Sequence, residues 1–88
     1  MPVQHIPGDQ DHLRLEAVER TLIDGKTHYA TAHTLWGASH YVVHEVRIVD
    51  GEEIFVNDWG DFPNLLEAET FADQKSKDLH LPFYYWTH

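Results

Sequence analysis

Cysteine is absent from this 88-residue chain. Disulfide frameworks and thiolate metal sites are therefore excluded, and stability must come from packing or from a partner. No apolar run approaches the roughly 20 residues that a membrane span needs, and residues 1–11 lack the basic and apolar regions of a signal peptide. We therefore expect a cytoplasmic protein with no membrane partner.

Basic residues are scarce: 6 Lys and Arg stand against 15 Asp and Glu, which gives a net charge of −9 with the histidines neutral. Proteins that bind a phosphate backbone carry basic clusters, so direct nucleic-acid binding is not expected here. The acidic balance favours a basic partner instead. Protonation of the eight histidines near pH 6 would shrink this negative charge sharply.

The segment 64–80 is the stretch with helical periodicity. Asn64 and Glu67 form a capping-box pattern at its start, and Pro82 lies just beyond its end. The apolar stripe of this predicted amphipathic helix consists of Leu65, Ala68, Phe71, Ala72, Lys75 and Leu79.

Strands are predicted before the helix, and the first of them is ambiguous. Within residues 13–23, Leu13 and Leu15 alternate as in a strand, whereas Leu15, Val18 and Leu22 fit a helix. The Asp24–Gly25 pair that follows is a strong hairpin signal and favours the strand. Further strands are predicted over residues 26–36, 40–49 and 53–57, the last two joined by a hairpin at Asp50–Gly51.

The predicted fold class is therefore α+β: a four-stranded antiparallel meander with one amphipathic helix packed on a face. Residues 12–88 form the single domain, and residues 1–11 form a flexible N-terminal arm. The Asp50–Gly51 turn places Ile48 opposite Glu53, Val46 opposite Phe55 and Val42 opposite Trp59. We expect the helix to cover the face that holds these apolar residues: Val42, Val46, Ile48, Phe55 and Trp59. The register around Gly37 stays open.

The C-terminal residues 81–88 are rich in aromatic side chains: Phe83, Tyr84, Tyr85 and Trp86. Such a segment is expected to form an additional C-terminal strand, an extended clasp or a contact with a partner. Successive side chains of an extended chain face opposite sides, so some of these rings point outward. Exposed aromatic rings are typical interface anchors.

The histidines show no metal-binding pattern. His40 and His44 share a face of one strand but lie about 13 Å apart, at about 3.3 Å per residue. His33 could face one of them across the Gly37 turn, and no H-E-x-x-H motif is present. We therefore expect no metal and no cofactor, and we keep a histidine-rich metal- or pH-responsive binding domain as the alternative function.

Carboxylates cluster in the second half of the chain. A paired-carboxylate hydrolase needs an apolar cleft, and neither Ser39 nor Ser76 lies in a nucleophile elbow, so we expect no enzymatic activity. Glu69 and Asp73 form a like-charge i, i+4 pair, a cost that a basic partner would offset. The predicted partner-binding residues are the acidic Asp58, Asp61, Glu67, Glu69 and Asp73, together with the aromatic Phe83, Tyr84, Tyr85 and Trp86.

In size, acidity, lack of cysteine and four-strand-plus-helix layout, the chain resembles small phage-encoded anti-CRISPR proteins. Several members of that group act as DNA mimics on the nucleic-acid channel of a Cas complex. The resemblance spans the whole chain but includes no shared motif, so it assigns no residue. It implies a monomeric or homodimeric inhibitor in the host cytoplasm that binds a basic protein surface and mimics or blocks nucleic acid.

Overall fold

In the computed structural model, which describes residues 10–87, the fold is α+β with a four-stranded antiparallel curled sheet, as predicted. The predicted N-terminal arm lies outside the described residues, apart from Gln10 and Asp11, and so does His88. The elements in chain order are β1 (His12–Ile23), β2 (Lys26–Thr31), β3 (His40–Val49), β4 (Glu52–Phe62), α1 (Leu65–Leu79) and β5 (Phe83–Trp86).

The strand order is β2-β1-β3-β4, with β5 paired in parallel to β1. This order differs from that of a simple meander, in which β2 would pair with β3. Residues 12–18 of β1 pair with β3 along one edge of the strand. Along its other edge, β1 pairs with β5 through residues 13–16 and with β2 through residues 18–23. The chain crosses from β2 to β3 through residues 32–39, where Gly37 adopts φ +77°. The return strand therefore ends at Thr31 and does not reach residue 36.

Both predicted hairpins are confirmed. Asp24 and Gly25 have φ values of 50° and 76°, and Asp50 and Gly51 have 52° and 80°. Positive φ at both central residues is the geometry of a type I′ turn, whose twist matches that of the flanking strands. Each turn closes a two-residue loop, so the register of each hairpin is fixed at its tip.

An extra residue in β4 changes which side chains share a face. Val46 pairs with Phe55 as predicted, but Glu45 pairs with Asn57, so Val56 is a bulge residue. A bulge shifts the register by one residue, and that shift exchanges the faces of the side chains from Asn57 to Trp59, until a second irregularity between Trp59 and Phe62 restores them. Trp59 consequently pairs with Val43 instead of Val42.

The predicted helix-covered face is therefore wrong for four of its five residues. Trp59 packs against the core beneath α1, but Val42, Val46, Ile48 and Phe55 lie on the opposite side of the sheet. The buried core beneath α1 is formed instead by Leu15, Ala17, Tyr41, Val43, Leu65, Ala68 and Ala72. Aromatic rings close its margin: the centroid of the Phe71 ring lies 5.4 Å from that of Trp59 and 5.1 Å from that of Phe62.

The ends of α1 are capped as its sequence predicts. The Asn64 side chain accepts a hydrogen bond from the Glu67 backbone N–H at 2.9 Å and donates to the Glu67 carboxylate at 2.8 Å. At the other end, His80 adopts φ 56°, and its N–H donates to the Ser76 carbonyl. Between residues 10 and 87, no helix is long and apolar enough to cross a membrane.

Candidate functional site

The face of the sheet opposite α1 carries many polar side chains, and we call it the polar face. On β1 its members alternate with the core residues Leu13, Leu15 and Ala17. Register pairing then assigns the neighbours on β2, β3 and β5 to the same face. The polar face so defined holds His12, Arg14, Glu16, Val18, Thr31, His40, Val42, His44, Val46, Tyr84 and Trp86.

His44 joins three strands on this face. Its Nε2 lies 2.7 Å from Glu16 Oε1 on β1, and its Nδ1 lies 2.5 Å from Asp58 Oδ1 on β4. The second oxygen of Glu16 accepts a hydrogen bond from the Thr31 hydroxyl at 2.5 Å. Phe55 covers the imidazole from one side, with ring centroids 5.1 Å apart. The imidazole therefore has a carboxylate at each ring nitrogen.

This arrangement raises the pKa of His44 and lowers the pKa of Glu16. Burial lowers the pKa of His44, but the hydrogen bonds and the charges of Glu16 and Asp58 together outweigh burial and raise it above its usual range. The hydrogen bond from His44 is the largest cause of the lowered pKa of Glu16, and the Thr31 hydroxyl adds to it. The favoured state is thus a protonated imidazole that donates to two carboxylates.

Arg14 lies beside this cluster and is almost fully buried. Its Nη2 lies 2.7 Å from Glu53 Oε2, and its guanidinium carbon lies 4.6 Å from the Trp86 ring centroid and 5.2 Å from that of Phe55. A buried cation is costly unless it is paired, and here a carboxylate and two aromatic rings supply the compensation. Arg14 therefore ties β1 to β4 and β5.

His12 adds a fourth contact to the arginine. Its Nδ1 lies 2.8 Å from the Gln10 carbonyl and its Nε2 lies 3.3 Å from Arg14 Nη2. A carbonyl only accepts and a guanidinium only donates, so these contacts assign the proton of the imidazole to Nδ1. The ring also packs edge-on against Tyr84, with centroids 5.7 Å apart.

A groove of about 370 Å³ opens on the polar face next to Glu16. It is lined by side chains of β1, β2 and β3 that include Glu16, Val18, Tyr29, Thr31, His40 and Val42. The rings of Tyr29 and His40 stand perpendicular to each other with centroids 5.5 Å apart. His40 Nδ1 is buried and has no hydrogen-bond partner, while its Nε2 lies 3.8 Å from Asp61 Oδ1.

The five acidic residues predicted to bind a partner lie in two regions. Asp58 and Asp61 are on β4, where Asp58 bonds His44 and Asp61 has a positive φ and a side chain that is 94% exposed. The other three are on α1. Of these, Glu67 serves the capping box, Glu69 accepts a hydrogen bond from the Tyr85 hydroxyl, and Asp73 pairs with Lys77 at 3.1 Å.

The four aromatic residues predicted to bind a partner form β5 and divide between the two faces. Phe83 and Tyr85 pack against the core on the helix side, with ring centroids 5.2 Å apart. Burial, followed by the hydrogen bond to Glu69, raises the pKa of Tyr85 to about 12. Tyr84 and Trp86 lie on the polar face against His12 and Arg14. The structure therefore engages all four rings within the chain.

The histidine pairing suggested by the sequence does not occur as expected. Strand β2 pairs with β1, so no β2–β3 ladder brings His33 opposite His40 or His44. Within residues 10–87, histidine and carboxylate side chains form no group of three that could hold a metal ion. His44 instead uses both ring nitrogens to bond carboxylates.

Sequence reasoning missed Arg14, Glu16, Tyr29 and Thr31 as members of a shared site. A signal for part of it was present, because polar residues alternate with Leu13, Leu15 and Ala17 along β1. Such alternation predicts that one face of the strand is polar. The partners of that face could not be found in the same way, because they depend on the β1–β3 pairing.

No family model, curated protein or solved structure matches the chain. Roles for its residues therefore follow from their contacts and their chemistry.

Proposed function

We propose that this protein is a non-enzymatic inhibitor or adaptor that binds a basic protein surface. The partner we propose is a nucleic-acid-binding complex, such as a CRISPR–Cas effector, in which the protein mimics or blocks nucleic acid. The observation that supports this proposal is the distribution of charge. Half of the six Lys and Arg residues pair with carboxylates of the chain itself, and exposed carboxylates remain in excess on the surface.

Three of the cations have carboxylate partners within the chain. Arg14 pairs with Glu53 at 2.7 Å, and Lys77 pairs with Asp73 at 3.1 Å. Arg47 pairs with Glu45 at 2.6 Å and with Asp11 at 3.3 Å. The chain has 15 Asp and Glu against 6 Lys and Arg, so acidic side chains without a cationic partner outnumber the three remaining cations and give the net charge of −9.

The strongest candidate for the contact is the pair of exposed carboxylates on either side of the β4–α1 connection, Asp61 and Glu67, which we call the acidic junction. Asp61 is almost fully exposed, and Glu67 is exposed in the first turn of the helix. Asp58, Glu69 and Asp73 contribute less to the negative potential, because His44, Tyr85 and Lys77 already bond them. Opposite charges on two surfaces accelerate their encounter, and salt weakens this effect.

The experiment uses a labelled peptide of alternating glycine and arginine as the basic probe. The double variant Asp61→Asn, Glu67→Gln removes two charges but retains a residue that tolerates positive φ and a residue that completes a capping box. We expect the affinity of this variant for the peptide to fall about fivefold at low salt, because each exposed charge pair that it loses contributes at most about 1 kcal/mol. Binding of the parent should also weaken steeply as salt rises.

The matched control is Asp50→Asn, Glu52→Gln, which removes two exposed charges at the other end of β4. Asn-Gly suits the type I′ turn as well as Asp-Gly does. Equal affinities for the two double variants would contradict the acidic junction. Failure of the parent to displace labelled single-stranded DNA from the peptide would contradict competition with nucleic acid.

A second candidate function is a pH-responsive binding domain, and the environment of His44 favours it. The imidazole links β1, β3 and β4 through Glu16 and Asp58, so its loss of a proton would weaken a contact among three strands. Binding of the peptide by the parent and by His44→Gln at pH 5.5 and pH 8 tests this function. A pH dependence that persists in the variant would contradict it.

A further inference from the structure

The groove beside Glu16 has the chemistry of a receptor for a cation. One wall carries the Glu16 carboxylate, whose two oxygens already accept hydrogen bonds from His44 and Thr31. A carboxylate offers about four acceptor sites, so Glu16 retains capacity for another donor. Because its pKa is lowered, Glu16 stays charged over a wide pH range.

His40 supplies a second acceptor in the same groove. Its Nε2 faces the Asp61 carboxylate at 3.8 Å, which is too far for a hydrogen bond, but the negative charge there favours the tautomer that carries its proton on Nε2. In that tautomer Nδ1 is an acceptor, and it is buried with no hydrogen-bond partner among residues 10–87. A buried polar atom left unsatisfied is costly, and a rotation of the His40 ring toward the groove would let a ligand N–H remove that cost.

Tyr29 and the aliphatic lining complete the receptor. The Tyr29 side chain lines the groove but is largely exposed, at 61% of its full surface. An exposed aromatic ring attracts cations, and it attracts a planar guanidinium most readily because the two can stack. Val18 and Val42 line the same groove and suit the methylene stem of such a side chain.

From this combination we infer that the groove binds an arginine side chain presented by an extended basic segment of the partner. The inference rests on the proposed function and locates one contact of that basic partner. A guanidinium carries five N–H donors in one plane, so a single group can donate to both Glu16 and His40 while it stacks on Tyr29. The volume of about 370 Å³ also lies within the range of pockets that take organic ligands.

The experiment compares two peptides of nearly the same shape that differ in one group, the charged guanidinium of arginine and the neutral ureido group of citrulline. The first is acetyl-Gly-Arg-Gly-amide, and the second has citrulline, the neutral isostere of arginine, at its centre. Binding is followed by the amide NMR signals of the parent protein, which report millimolar affinities residue by residue. We expect the arginine peptide to shift the signals of Glu16, Tyr29 and His40 and to bind about tenfold more tightly than the citrulline peptide, since a charged partner strengthens a hydrogen bond.

Two variants and a matched control test the residues. Tyr29→Ala should weaken binding of the arginine peptide about fivefold, the range expected for a cation over an exposed ring. Because Tyr29 is exposed, this variant should fold. Glu16→Gln removes the charge but retains an acceptor, and should weaken binding about tenfold. The control Trp36→Ala removes an exposed aromatic ring outside the groove and should bind as the parent does.

The results distinguish binding in the groove from binding to the acidic junction. If Tyr29→Ala binds the arginine peptide as tightly as the parent, while Asp61→Asn, Glu67→Gln weakens it, the groove inference is overturned and the proposed function stands. Equal affinity for the citrulline peptide overturns the assignment of a cation. If the parent binds the longer peptide of alternating glycine and arginine but not the tripeptide, the groove inference is overturned and the proposed function stands. If it binds neither peptide at low salt, both are overturned.

Discussion

The guanidinium of Arg14 lies 4.6 Å from the centre of the Trp86 ring, at the end of β5. Arg14 is the third residue of β1, so this contact joins the C-terminal strand to a buried cation near the start of the domain. The Leu13 N–H also donates to the Pro82 carbonyl at 2.8 Å, where β5 begins to pair with β1. The C-terminal segment is therefore part of the fold on both faces of the sheet.

Deletion of residues 82–88 should abolish folding. It removes the β1–β5 ladder, the packing of Phe83 and Tyr85 on the core and the ring that covers Arg14. A buried arginine without that cover loses part of its compensation. Far-UV circular dichroism and thermal unfolding measure the effect, and deletion of residues 87–88 alone is the control. A truncated chain that melts with the parent would show that β5 is dispensable.

Arg14→Ala should destabilise the protein by about 3 kcal/mol, the low end of the cost of breaking a buried ion pair, because Glu53 remains partly exposed. Arg14→Met should cost less. Its unbranched side chain can fill the space between Phe55 and Trp86 without an unpaired charge. Urea unfolding of the two variants gives the comparison. A greater loss for methionine than for alanine would contradict this account of the arginine.

Much of the fold could be predicted because its signals are local. The Asp24–Gly25 and Asp50–Gly51 turns require positive φ, which those residues tolerate, and the helix carries its own cap at Asn64. The β-bulge at Val56 could not be predicted in the same way. Ile54, Phe55 and Val56 are three consecutive apolar residues, so no alternation marks where the faces exchange.

The candidate site was harder to predict for a related reason. Glu16 and His44 are 28 residues apart in the chain and meet only because β1 lies between β2 and β3. Hairpin signals favour pairing between neighbours in sequence, so they predict a β2–β3 ladder and separate these two residues. His44 carried a site hypothesis from its residue type alone, whereas Glu16 carried none.

Phe71→Ala should destabilise the protein by about 2–3 kcal/mol. This loss of stability is below the 3–5 kcal/mol expected when a fully buried phenylalanine is replaced by alanine, because Phe71 is only partly buried, between Trp59 and Phe62. The control on the same helix is Leu66→Ala, since Leu66 is 72% exposed and should change stability by no more than about 0.5 kcal/mol. Chemical denaturation measures both. Equal effects would mean that the helix buries a different face.

The contribution of His44 to stability should depend on pH in a defined direction. The pKa of His44 is raised above the ordinary histidine value of about 6.5, so its stabilising effect is complete below about pH 6.5 and is lost as pH rises through the folded-state pKa. The pKa of Glu16 is lowered from 4.5, so its contribution is present above about pH 4.5 and is lost as pH falls through the folded-state pKa. The cluster should therefore stabilise most between these limits.

The physical reason is the number of protons on the ring. Both ring nitrogens of His44 face carboxylates, Glu16 from β1 and Asp58 from β4, and a neutral imidazole can donate to only one of them. The loss of stability caused by His44→Gln should thus be larger at pH 5.5 than at pH 9, by about 1.4 kcal/mol for each unit by which the pKa is raised. Unfolding free energies at the two pH values test this, with His28→Gln on the exposed β2 strand as the control. A loss that grows with pH would reverse the sign and show that the neutral imidazole is the form that the fold prefers.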